Sequence, residues 1–213
     1  MMSTDALIRD LSTDLPPVKR RNTAHEAAML AALGGSELAM LFWAGAMRPD
    51  MAQVILAPFM LWKMGSLALL AGVTCTLAMR SLTPPAEPRR GLMLVGLLAL
   101  VIVGGMVVTP AAESNQSLLG RLSPVHGMLC ATAIIVLSIP IMAALAVLMR
   151  RAAPTRLKRS ALTCGLAAGT SGALIFTICC PMNDPLYIAV WYSVAVTAVA
   201  LVARWLLPGR FRL

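Results

Sequence analysis

Apolar residues run along this chain in six long blocks, 24–47, 56–79, 91–109, 125–149, 160–180 and 186–207, separated by short polar connections. Each block is close to the roughly 20 residues that a helix needs to cross a hydrocarbon layer about 30 Å thick. None shows the strict alternation of a barrel strand, and unpaired backbone groups are costly in lipid, so the pattern predicts helices. The expected fold class is all-α, an integral membrane bundle of six transmembrane helices over 24–207. A cytoplasmic N-terminal tail (1–23) precedes it and a short cytoplasmic C-terminal tail (208–213) follows.

Composition agrees with that pattern. Of the 213 residues 59% are hydrophobic and only 13% charged, and the mean hydropathy is +0.80, outside the range of soluble globular domains. The net charge of +9 would suggest nucleic acid in a soluble protein. Here the basic residues sit in the connections, which reads as topology and gives no ground for direct nucleic-acid binding. Arg9 and Lys19 to Arg21 lie in the tail, Arg80, Arg89 and Arg90 in the second connection, Arg150, Arg151, Arg156, Lys158 and Arg159 in the fourth, and Arg204, Arg210 and Arg212 at the C-terminal end. The opposite side carries Arg48 and Arg121, with Lys63 inside a span. The positive-inside rule therefore places both termini in the cytoplasm. Trp43, Phe59, Trp62, Tyr187 and Trp191 fall near the expected outer ends, as interfacial anchors do. The first apolar block is longer than a signal-peptide core and lacks a small-residue cleavage site after it, so it reads as a retained helix.

In the tail, Leu7, Leu11 and Leu15 recur at helical spacing with Ile8 beside them, punctuated by Asp5, Asp10 and Asp14. Ser3 or Thr4 can cap such a helix, and Pro16 and Pro17 stop it. A helix this short is marginal alone and needs the bilayer surface or a partner protein. Its acidic residues favour the partner, because surface-lying helices are usually basic.

The run Ser12-Thr13-Asp14-Leu15-Pro16-Pro17-Val18 before a basic cluster resembles the N-terminal signature of the NrsF family, negative regulators of sigma F. Further matching features are Arg48-Pro49-Asp50, Trp62-Lys63, Ala153-Pro154-Thr155, Cys180-Pro181 and Trp191-Tyr192, spread over nearly the whole chain. The resemblance implies a membrane-embedded anti-sigma factor of the bacterial inner membrane. Its tail would sequester an extracytoplasmic-function sigma factor, with Leu7, Ile8, Leu11, Asp14, Leu15, Pro16 and Pro17 as the binding residues. It implies no enzyme activity and no cofactor. It also implies a signal-responsive pair, Cys130 and Cys180, answering a redox or heavy-metal stress.

The expected topology puts both of these cysteines near the outer face, where a disulfide or a shared soft-metal contact requires Cα atoms within about 7 Å. The alternative is that each packs as a small apolar side chain. The chain has five cysteines and no CxxC pair; Cys179 adjoins Cys180, while Cys75 and Cys164 read as packing residues. His126, one helical turn before Cys130, is a metal-ligand candidate or a solvated loop-end histidine. Glu37 and Lys63 lie within spans and invite an intramembrane ion pair, or Lys63 snorkels to the outer surface. Gly165 and Gly169 form a G-x-x-x-G, with Gly172 nearby, that permits close helix approach. The intramembrane charges also motivate a small transporter or channel, and the paired cysteines a thiol-redox protein; the scarcity of other polar groups in the spans and the absence of a CxxC weigh against each. Oligomeric state is left open.

Overall fold

A computed structural model describes Thr4 and residues 22–83, 88–108, 121–152 and 154–209, and the sigma-binding residues expected in the tail lie outside them. The described residues are helical, without strands: α1 (Thr23–Trp43), the short α2 (Met51–Val54), α3 (Pro58–Ser81), α4 (Pro88–Val108), α5 (Pro124–Ala152), α6 (Leu157–Phe176) and α7 (Pro185–Gly209). Every apolar block read from the sequence is a helix. Three of these, α3, α5 and α7, are long and apolar enough to cross a membrane.

Helix boundaries follow local chemistry. Asn22 caps α1 by accepting the His25 N–H at 3.2 Å. That helix stops at Trp43 rather than 47 because Gly45 turns the chain at φ +66. Proline occupies the first position of α3, α4, α5 and α7, where its missing N–H costs nothing. α6 ends at Phe176, earlier than its apolar block suggests. Thr177, Cys179 and Cys180 donate back to Ala173 and Phe176 carbonyls, and Pro181 bars continuation.

The bundle is built around α6, which packs on α3, α5 and α7. Its buried residues are mostly Ala, Gly, Ser and Thr, so neighbouring backbones come close. A Cβ on Gly165 would lie 2.6 Å from Ala200 Cα, and one on Gly169 would lie 3.1 Å from Val196 Cα. The G-x-x-x-G face is therefore the α7 contact, and Gly172 faces Ile134 and Ser138 of α5. Hydroxyls tie α6 to α3: Thr74 to Thr170 at 2.8 Å, Ser81 to Thr163 at 2.9 Å, and Ser160 donating to the Ser81 carbonyl at 3.0 Å. Such bonds contribute about 0.6 to 2 kcal/mol each between apolar-embedded helices. Cys164 is fully buried in this core and Cys75 packs at its edge, as expected of packing residues.

α1, the helix that follows the tail, is peripheral. It packs chiefly on α5 and α6 through the stripe Leu30, Leu33 and Leu41. An apolar groove of about 980 Å³ separates it from α3.

Candidate functional site

At one end of the bundle the N-termini of α3, α5 and α7 meet the C-terminus of α6, and the connection 177–184 folds over them. Cys180 lies on this connection with no exposed surface, and Cys130 is buried in the second turn of α5. Their side chains face each other closely enough to interact, and both are free thiols. The Tyr187 hydroxyl donates to Cys130 Sγ at 3.2 Å. Tyr192 stands beside Cys180, its hydroxyl buried without a well-formed hydrogen bond.

Lys63 enters the same cluster from α3, fully buried. Its Nζ lies 3.4 Å from the Met182 carbonyl and 5.4 Å from the centre of the Tyr192 ring, and it reaches the Cys180 thiol. Glu37 does not join it. Glu37 shares the α1 stripe with Leu30, Leu33 and Leu41, and both carboxylate oxygens are buried without a hydrogen-bond partner. The expected Glu37–Lys63 pair is therefore not formed, because α1 packs on α5 and α6 while Lys63 turns under the 177–184 connection. Snorkelling is excluded too, since Lys63 has no exposed surface. His126 is exposed, and among the described residues no three His, Cys, Asp or Glu side chains group as a metal site.

The connection over the thiols is held from several sides. Arg48, between α1 and α2, donates to Asp50 at 2.5 and 2.7 Å and to Asn183 Oδ1 at 2.8 Å, while its backbone N–H meets the Ile178 carbonyl at 3.4 Å. Arg121 forms a two-point pair with Asp184 at 2.9 and 3.0 Å, and Asp184 in turn caps α7 by accepting the Leu186 N–H at 2.9 Å. Trp191 donates to the Leu122 carbonyl at 2.8 Å. Arg48 thus links the thiol-bearing connection to the far end of the helix that carries the tail. Sequence reading singled out both cysteines, Lys63 and the Arg48-Pro49-Asp50 run, took Arg121 only as an outer-side charge, and missed Asn183 and Asp184. Asp184 directly before Pro185 was the available signal, an N-cap followed by proline at the first helical position.

The Arg121 guanidinium, followed by backbone N–H donors, holds the Asp184 carboxyl below its ordinary range, and Arg48 does the same for Asp50. A depressed carboxyl stabilises the fold above its unfolded pKa, and that contribution is lost as pH falls through the folded value. The 177–188 segment is therefore expected to lose amide-exchange protection below about pH 4. Asp184→Asn should show the reduced protection already at neutral pH, with little further loss on acidification. Equal protection of both proteins across the range would contradict the pairing.

The described residues thus make an all-helical protein with three helices long and apolar enough to cross a membrane and a lysine–tyrosine–dithiol cluster capping one end of its core. The family profile described as "Negative regulator of sigma F", NrsF, matches residues 11–212, and the chain belongs to that family. It is 31% identical to the anti-sigma-F factor NrsF of Caulobacter vibrioides over 216 residues, covering 100% of this chain and 99% of the relative. It is 26% identical to the probable anti-sigma-F factor NrsF of Azospira oryzae, over 94% of this chain and 95% of that one. No solved structure matches.

Proposed function

We propose that this protein is a membrane-bound anti-sigma factor that holds an extracytoplasmic-function sigma factor on its N-terminal tail and releases it when the outer thiols change state. The observation that carries this reading is the full-length match to a relative named as an anti-sigma-F factor. The role is regulatory, without a catalytic step.

Several features support the membrane arrangement. The six long helices, of 20 to 29 residues, follow the six apolar blocks. Large apolar side chains such as Leu97, Leu100, Met128, Val136, Leu201 and Trp205 face outward, whereas Lys63 and the hydroxyls of Thr74, Ser81, Ser138, Thr163 and Thr170 face inward. That distribution suits a chain whose solvent is lipid. With the basic connections on the inner side, the tail lies in the cytoplasm of a bacterial inner membrane and the thiol cluster lies near the periplasmic face. α1 spans the difference: 21 residues at 1.5 Å per residue give about 31 Å, the thickness of a bilayer core.

The tail uses Leu7, Ile8, Leu11 and Leu15 as its apolar stripe, with Asp14, Pro16 and Pro17 fixing its acidic end. A change at Cys130 and Cys180 shifts the 177–184 connection, and Arg48 passes the shift to α1. In a reporter strain carrying the sigma factor and its promoter, expression of the full chain is expected to silence the promoter. An unaffected promoter would overturn the reading.

A further inference from the structure

A buried ammonium without an anionic partner is costly, and the surroundings of Lys63 narrow the choice of partner. The two carboxylates of the neighbouring connections are taken, Asp50 by Arg48 and Asp184 by Arg121. The Met182 carbonyl is neutral and 3.4 Å away. The titratable and charged side chains facing Cys180 are Lys63 from α3, Cys130 from α5, Tyr187 and Tyr192 from α7 and the adjoining Cys179, with Arg48 in the outer layer. Of the groups around Lys63, the Cys180 thiol is the one that readily becomes an anion. Cys130 also lies in the field of Lys63, but its hydrogen-bonding neighbours are the Tyr187 hydroxyl and Cys180, whereas Lys63 reaches Cys180 directly. The two thiols are therefore not equivalent.

We infer that Lys63 holds Cys180 as a thiolate, so that Cys180 is the attacking sulfur and Cys130 the resolving one when a hydroperoxide oxidises the pair. This rests on reading the thiols as the signal input of the proposed function. In the first step Cys180 S⁻ attacks one oxygen of hydrogen peroxide. The S–O bond forms, the O–O bond breaks, and the sulfur loses two electrons to the peroxide. The departing hydroxide takes a proton from the Lys63 ammonium and leaves as water. In the second step the Cys130 sulfur attacks the Cys180 sulfenic acid; the S–S bond forms, the S–O bond breaks, and the hydroxide leaves as water with the Cys130 proton. The product is a disulfide beside a neutral Lys63, so the charge pair under the 177–184 connection is gone. Because Cys180 has no exposed surface, the site favours a small oxidant over a bulky one.

The test uses the full chain in membrane vesicles, treated with hydrogen peroxide, then denatured, alkylated and read by mass spectrometry. Lys63→Met is expected to slow disulfide formation about tenfold at pH 7 and to move the rate–pH curve upward, as loss of a thiolate-stabilising cation does. Lys63→Arg, which keeps the cation but cannot give up a proton, should return the rate–pH curve toward its wild-type position. Protection of the fully buried Cys164 from alkylation before denaturation confirms that each variant is folded. Cys130→Ser should accumulate a Cys180 sulfenic acid, trapped with dimedone, whereas Cys180→Ser should leave Cys130 unlabelled. A wild-type rate and pH profile in Lys63→Met, or dimedone on Cys130 in Cys180→Ser at the wild-type rate, would overturn the inference. A Lys63-dependent disulfide that leaves sigma-dependent transcription unchanged would uphold this chemistry and refute the sensing role.

Discussion

Leu11→Asp is expected to free the sigma factor from the membrane and switch on its promoter without any stress. In the proposed reading Leu11 is the middle residue of the stripe Leu7, Leu11 and Leu15, so a charge there would break the apolar face expected to meet the sigma factor. Central apolar anchors of this kind contribute on the order of 3 kcal/mol to a helix-in-groove contact, and their loss weakens binding roughly 100-fold. Deleting residues 1–15 should do the same. The measurement is co-purification of the sigma factor with the full chain from solubilised membranes, scored against an unchanged amount of the membrane protein. Undiminished co-purification with either variant would remove the tail from the mechanism.

Replacing either Cys130 or Cys180 with Ser is expected to abolish induction by hydrogen peroxide while leaving the promoter silent in unstressed cells. Each thiol is buried, and each interacts with the other, so one substitution suffices to prevent the disulfide. Moving the tail from 99% bound to 99% free requires the oxidised state to favour release by roughly 5.5 kcal/mol. In the proposed chemistry oxidation removes the Cys180–Lys63 charge pair beneath the connection that Arg48 grips, and that is the change through which the bias would act. Cys179→Ser serves as the contrast. Cys179 is partly exposed on the same connection and lies outside the Cys130–Tyr187 contact, so its loss should leave induction intact. Full induction in Cys130→Ser would contradict the sensing role.

The helices were legible because each apolar block exceeds what a soluble helix carries and ends at proline, glycine or a basic cluster. The site was legible in part. The family resemblance singles out Cys130 and Cys180 as a pair, their distance from the helix ends puts both near one face, and their side chains face each other in the structure. What the sequence obscured was direction. Glu37 and Lys63 both lie at the middle or outer part of spans, and opposite charges there suggest a pair. Which way each points depends on helix rotation, and that is set by packing: the Leu30, Leu33 and Leu41 stripe fixes α1, and the Thr74–Thr170 and Ser81–Thr163 hydroxyl bonds fix α3 against α6. Likewise the apolar run to residue 180 hid the end of α6 at Phe176. The last four residues of that run form a turn, and Pro181 behind Cys180 bars the helix from continuing. Gly165 and Gly169 announced a close approach but not its partner, which α7 supplies through Ala200 and Val196.

The most direct test of the account is a sedimentation experiment on membranes carrying the full chain and its sigma factor. Before treatment the sigma factor should pellet with the membranes, and after hydrogen peroxide it should appear in the supernatant, returning to the pellet on reduction with dithiothreitol. A sigma factor that never pellets with the intact chain, or that stays in the pellet once the Cys130–Cys180 disulfide has formed, would contradict it.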